Sequence, residues 1–175
     1  SNGFNSWGNK TNNDLELIRV QWIQMMEDLR KNIGINEENQ DFFKNTLALC
    51  DTSGSMAGEP MNVSIAMGLI LSRFSNDAFK DLIVTFETDP HFTKVPNSED
   101  DIIQAVNFMC DPNKFGWGGS TNFSAVFTQL LEYATKYRYP SHHDKYPRKN
   151  GLATVDMIKR IMVFSDMPFN NADDA

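Results

Sequence analysis

The chain predicts a three-layer α/β fold with a mainly parallel sheet and one antiparallel edge strand. Short, continuously apolar runs alternate with helical patterns through its middle, as in a sheet covered on both faces. Two of these runs, "TLALC" (46–50) and "RIMVF" (160–164), lead into aspartates, Asp51 and Asp166. A third, "LIVTFE" (82–87), turns at "TDP" into "HFTKV" (91–95), which reads as a returning antiparallel strand.

Residues 1–12 read as a polar lead-in. From Asn13 apolar residues recur at helical steps, through Leu15, Ile18, Trp22, Met25, Leu29 and Ile33. Asn13 and Glu16 form a capping-box pair, Gly34 supplies a stop, and the helix is expected at about 14–33. Residues 35–45 are polar. After the strand at 46–50, Pro60 suits the first turn of a helix over about 60–75, apolar nearly all round and so expected to be buried. Ser98 and Asp101 pair as a cap for a helix carrying Ile102, Val106 and Met109. "FGWGGS" (115–120) is a glycine loop, and the helix after it shows Phe123, Phe127, Leu130 and Ala134 on one side. "YPSHHDKYPRKNG" (139–151) is punctuated by proline and reads as a loop. The expected organisation is an N-terminal extension over 1–44 and an α/β domain over 45–175.

A chain of 175 residues suffices for one domain with a sizeable core. With 41% hydrophobic and 22% charged residues it belongs to the globular class. A net charge of −7 argues against general binding to nucleic acid or anionic membranes. Cys50 and Cys110 make no disulfide framework, which favours a reducing, intracellular setting. No apolar run approaches the ~20 residues of a membrane span. The start at Ser1–Asn2 reads as the remnant of a cleaved tag, which makes the chain a piece of a longer protein.

The strand ends carry the candidate site. In α/β sheets ligands bind beyond the carboxyl ends of the strands. Asp51, Ser53 and Ser55 follow the first central strand, Thr121 stands in "GGSTNF" before a helix, and Asp166 stands in "VFSDMPF" after a later strand. Mg²⁺ takes about six oxygens in an octahedral array and keeps some of its water. Three hydroxyls and two carboxylates, acting directly or through water, are donors of that type, and Ser120 is an alternative donor to Thr121. Asp, Ser and Gly are also ordinary turn residues, so the Asp-x-Ser-x-Ser stretch alone is weak evidence. Three such loops, each at a strand end or helix start, are stronger.

This arrangement resembles the von Willebrand factor A-type (vWA) domain and its metal-ion-dependent adhesion site. It is most similar to an uncharacterised vWA-like family of plants and giant viruses, and more distantly to the vWA domain of the Ro autoantigen. The resemblance covers roughly residues 45–170. It implies a Rossmann-like three-layer fold, abbreviated after Asp166, and one divalent cation, Mg²⁺ or alternatively Mn²⁺ or Ca²⁺. Asp51, Ser53, Ser55, Thr121 and Asp166 would surround that ion, which would grip an Asp or Glu of a partner protein. The implied role is assembly or scaffolding, without catalysis and without a membrane.

Two further readings stand beside it. Lys136, Arg138, Lys145, Arg148 and Lys149 interleave with Tyr137, Tyr139 and Tyr146, a pattern suited to single-stranded nucleic acid and to an RNA-particle component resembling the Ro autoantigen. A solvated loop explains the same residues, and also His142, His143 and Asp144 as alternatives to metal ligands. A Mg²⁺-dependent phosphohydrolase would need a second Asp two residues after Asp51, where Ser53 stands. Finally, the apolar strand at 160–165 has no later strand to pair with, and it is expected to self-associate unless another segment covers it.

Overall fold

The structure, a computed structural model, describes residues 10–86, 90–96, 101–115 and 123–166. Helix α1 (Asn12–Gly34) and a short α2 (Glu37–Lys44) precede β1 (Thr46–Asp51). Next come α3 (Glu59–Phe74), β2 (Leu82–Phe86), β3 (Phe92–Lys94), α4 (Ile102–Met109) and a single turn, α5 (Pro112–Phe115). Helix α6 (Phe123–Lys136) and β4 (Arg160–Phe164) complete the described elements.

The four strands lie in the order β3-β2-β1-β4. β1 pairs in parallel with β2 and β4, and β3 returns antiparallel to β2. Every residue of β1 is buried, which explains its unbroken apolar run: a central parallel strand has no solvent face.

Each sheet face carries its own core. On one, Ala48, Cys50 and Ile83 pack with Met61, Ile65 and Leu69 of α3 and with Ile103, Ala105 and Met109 of α4. The other joins Leu47, Leu49, Val84 and Phe79 to Val126 and Leu130 of α6. The sheet is therefore the middle of three layers. On the first face α3 approaches β1 closely, because a Cβ on Gly68 would stand 2.5 Å from the Cys50 sulfur. Only glycine admits that spacing without a shift. Burial pushes the Cys50 thiol up to about 12, so it stays neutral and packs as a small hydrophobe.

Several local expectations change. The cap of α1 is Thr11 with Asp14, rather than Asn13 with Glu16: the Thr11 hydroxyl accepts the Asp14 N–H, and Asp14 accepts the Thr11 N–H at 2.8 Å. The polar stretch before β1 contains α2, whose cap Asn36 accepts the Glu38 N–H at 2.8 Å. Asp101 caps α4 by itself, accepting the Ile103 and Gln104 N–H groups, while Ser98 lies outside the described residues. On α6 the buried stripe is Val126, Leu130 and Ala134; Phe127 is 54% exposed.

α1 docks against the α3–α4 face through Leu15, Ile18 and Trp22, and Arg19 Nε meets Asp101 at 3.1 Å. Among the described residues β4 is an outer strand of the sheet, its residues 161–164 half-buried. Outer strands template pairing with other chains. Sedimentation over a range of concentrations is therefore expected to show association, suppressed by Val163→Pro if that N–H faces outward, or by proline at a neighbouring strand position if it does not. A constant monomer mass throughout would refute it.

Candidate metal centre

The rim at the carboxyl ends of β1 and β4 is built from two chain segments. Asp51 closes β1 with none of its surface exposed. Its Oδ1 accepts the Ser53 N–H at 2.8 Å, an Asx turn that reverses the chain as it leaves the strand. Its Oδ2 accepts the hydroxyl of Ser165. Both carboxylate oxygens are thus held before any ligand is considered.

A 3₁₀ turn at Gly54–Met56 then brings Ser55 back beside Ser53, with the two Oγ atoms 3.0 Å apart. Gly58, at φ 95°, leads into α3 in a conformation that favours glycine. The Ser55 hydroxyl donates to Asp166 Oδ1 at 3.1 Å across 111 residues of sequence. Since Ser55 spends its single proton there, the Ser53 hydroxyl is the donor between the two serines. The hydroxyls therefore form a directed chain, Ser53 to Ser55 to Asp166, ending on an exposed carboxylate.

The structure thus brings Asp51, Ser53, Ser55 and Asp166 to one rim. Thr121 and its alternative Ser120 lie outside the described residues. Ser165 belongs to the rim too and was missed in the sequence, although it directly precedes Asp166.

The donor set can be tested against an ion. Cis oxygens on an octahedral Mg²⁺ with bonds of about 2.1 Å are about 3.0 Å apart. The Ser53–Ser55 and Ser55–Asp166 oxygen separations, 3.0 and 3.1 Å, match that edge. Hydrogen bonding alone gives the same spacing, so the match shows fit, not occupancy. Among the described residues there is no group of three or more His, Cys, Asp or Glu side chains placed to hold a metal. Any ion at this rim would rely on hydroxyls and water for most of its shell. Asp51, committed to two donors, suits contact through water.

Beside the rim lies a groove of about 490 Å³ between the start of α3 and β4, lined by Pro60, Val63, Phe164 and Asp166 among others.

The basic segment is organised differently from its sequence reading. Arg138, Lys145, Arg148 and Lys149 are all exposed. The tyrosines, however, pack on one another. Tyr139 is 3% exposed, and its ring centroid lies 5.0 Å from that of Tyr137 and 5.2 Å from that of Tyr146. Lys149 Nζ stands 5.1 Å from the Tyr146 centroid. His143 Nδ1 accepts the Tyr146 N–H at 3.1 Å.

A family model described as a domain of unknown function, DUF7788, matches residues 45–175. An uncharacterised protein of Acanthamoeba polyphaga mimivirus, L728, is 29% identical over 158 residues. The match covers 90% of this chain and 23% of the viral protein, so the chain spans under a quarter of that relative's length. No solved structure matches. Among the described residues no helix is long and apolar enough to cross a membrane.

Proposed function

The chain belongs to the DUF7788 family, and we propose that it is a vWA-like protein-binding module that captures an acidic side chain of a partner through one divalent cation. The ligands would be Asp51, Ser53, Ser55, Asp166 and Thr121, and the ion Mg²⁺, with Mn²⁺ or Ca²⁺ as alternatives. One observation carries the reading: two loops more than a hundred residues apart meet at adjacent parallel strand ends, where Ser53 and Ser55 chain to Asp166 and Asp51 accepts from Ser53 and Ser165.

When bound, the ion would supply an electrophilic position that a carboxylate can fill. The chain's own residues do the rest. Hydroxyl ligands add no negative charge, so two carboxylates at most neutralise the ion. Asp51, turned inward toward Ser53 and Ser165, neutralises it least directly. The chain is acidic overall, so long-range fields repel an acidic partner and attraction must be local.

Its role is assembly, not catalysis: Ser53 occupies the position where a phosphohydrolase of the alternative type needs its second Asp. The buried free thiols of Cys50 and Cys110 favour a reducing, intracellular setting, cytoplasmic or nuclear, and the host cytoplasm or virion for viral members. The nucleic-acid reading keeps its exposed cations, but the central ring of its three tyrosines, Tyr139, is buried, with Tyr137 and Tyr146 packed on it.

Capture of binding proteins from host-cell lysate, with wild type and Asp51→Ala as baits, tests the proposal. A specific partner should be retained in Mg²⁺ and fall at least about tenfold, ~1.4 kcal/mol, in EDTA or with Asp51→Ala. Changing one Asp or Glu of that partner to Asn or Gln should reproduce the loss. Binding that ignores EDTA, falls steeply with salt and disappears when Arg138, Lys145, Arg148 and Lys149 are neutralised would replace the proposal with the nucleic-acid reading.

A further inference from the structure

At the opposite end of the sheet from Asp51, beyond the start of β1, two cavities of about 360 and 560 Å³ share Asp77, Tyr137 and His143. β1 has six residues, so the two ends lie about 20 Å apart. The first cavity is of the size that takes small ligands.

The shared wall combines ring faces with carboxylates. Tyr137 and Tyr139 meet edge to face, at 88°, and Tyr139 meets His143 at 68° with centroids 4.6 Å apart. The Tyr139 hydroxyl accepts the Ala153 N–H at 2.9 Å and donates to Asp156 Oδ2 at 2.5 Å, so the rings and this carboxylate are held in place together. Asp156 Oδ1 accepts no hydrogen bond among the described residues, and Asp77 is exposed with no ion pair among them. Burial, and then the fields of Asp77 and Asp156, raise the Tyr137 hydroxyl above its ordinary pKa.

His143 Nδ1 accepts the Tyr146 N–H, which fixes that ring in the wall of both cavities. Lys44 and Lys145 also line the cavities, but both are exposed and neither forms an ion pair with these acids. A cation over an aromatic face gains from the ring quadrupole, and more when carboxylates stand beside it.

We propose that the paired cavities bind a small organic cation of alkylguanidinium or alkylammonium type, its charged head between the Tyr137 and His143 rings and the carboxylates of Asp77 and Asp156. The site is independent of the metal rim.

Titration of the full chain with n-butylguanidinium and with its neutral isostere n-butylurea tests this, followed by calorimetry and by the ring resonances of Tyr137 and His143. The cation should bind saturably and shift both rings, with the urea at least about tenfold weaker. Asp77→Asn, at an exposed position, should weaken the cation several-fold, and Tyr137→Leu should abolish ring-specific binding. The titration should be the same in Mg²⁺ and in EDTA, so failure here is distinct from failure of the metal reading. Absence of saturation in the millimolar range, equal binding of the urea, or wild-type affinity in Asp77→Asn would overturn the proposal.

Discussion

Saturating Mg²⁺ should raise the melting temperature of the wild-type chain by about 5–10 °C and leave Asp51→Ala unmoved. An ion that binds only the native state stabilises it by about 2.7 kcal/mol at a hundred times its dissociation constant. For a chain of this size each kcal/mol moves the midpoint by about 2–4 °C. Asp51→Ala also removes the acceptor that the Ser53 N–H and the Ser165 hydroxyl now use, so its midpoint without metal should already be lower. The informative quantity is therefore the difference made by the ion within each variant. Asp51→Asn preserves the shape and removes the charge, which separates electrostatic from packing loss. Ser55→Ala should reduce the rise without eliminating it, since one neutral donor is lost. A rise of equal size in Asp51→Ala would place the ion elsewhere.

Phe79→Ala should cost about 3–5 kcal/mol, the range for truncating a fully buried ring. The Phe79 side chain has no exposed surface and lies beneath α6, its centroid 5.3 Å from that of Tyr133. It belongs to the core that joins Leu47, Leu49 and Val84 to Val126 and Leu130. Nearby, the Tyr133 hydroxyl donates to the Ala78 carbonyl, tying α6 to the turn that carries Phe79. Domains are stable by about 5–15 kcal/mol, so a loss of this size takes a large share of the total. Urea unfolding should show a lower midpoint with an unchanged slope. A cost under about 1 kcal/mol would mean that the neighbouring side chains close the void.

The sheet was legible because its strands obey one rule. "TLALC" and "RIMVF" are short and unbroken, and the aspartates after them mark strand ends. Periodicity was a poorer guide on α6. Phe123 and Phe127 share a stripe with Leu130, but so does Val126, one position away. The partners Leu49 and Val84 on the sheet select between them, and helical spacing carries no record of those partners. α2 was missed because its apolar content is confined to Phe42 and Phe43, although Asn36 before Glu37 and Glu38 is a capping signal. At the rim, the residues that end strands were readable, while Ser165 was not, because its role depends on which way a hydroxyl turns. The tyrosines beside the basic residues suggested free stacking surfaces. Packing of one ring on another depends on the bridge between Arg138 and Asn150 and on the hydroxyl of Tyr139, neither of which leaves a pattern in residue order.

The strand order also sets a timetable. β1 sits between β2, which follows it closely in the chain, and β4, whose flanking Ser165 reaches Asp51 across 114 residues. At ribosomal rates of about 5–20 residues per second, one flank of β1 waits roughly 5–20 s after the strand is made before its neighbour exists. During synthesis that flank is an unpaired apolar margin exposed to other nascent segments. Asp166 arrives with the last described strand, so the rim is assembled at the end of translation of this region. A chain interrupted before β4 would carry Asp51, Ser53 and Ser55 without Ser165 and Asp166 beside them, and the pairing that buries β1 would be the same event that brings those two to the rim.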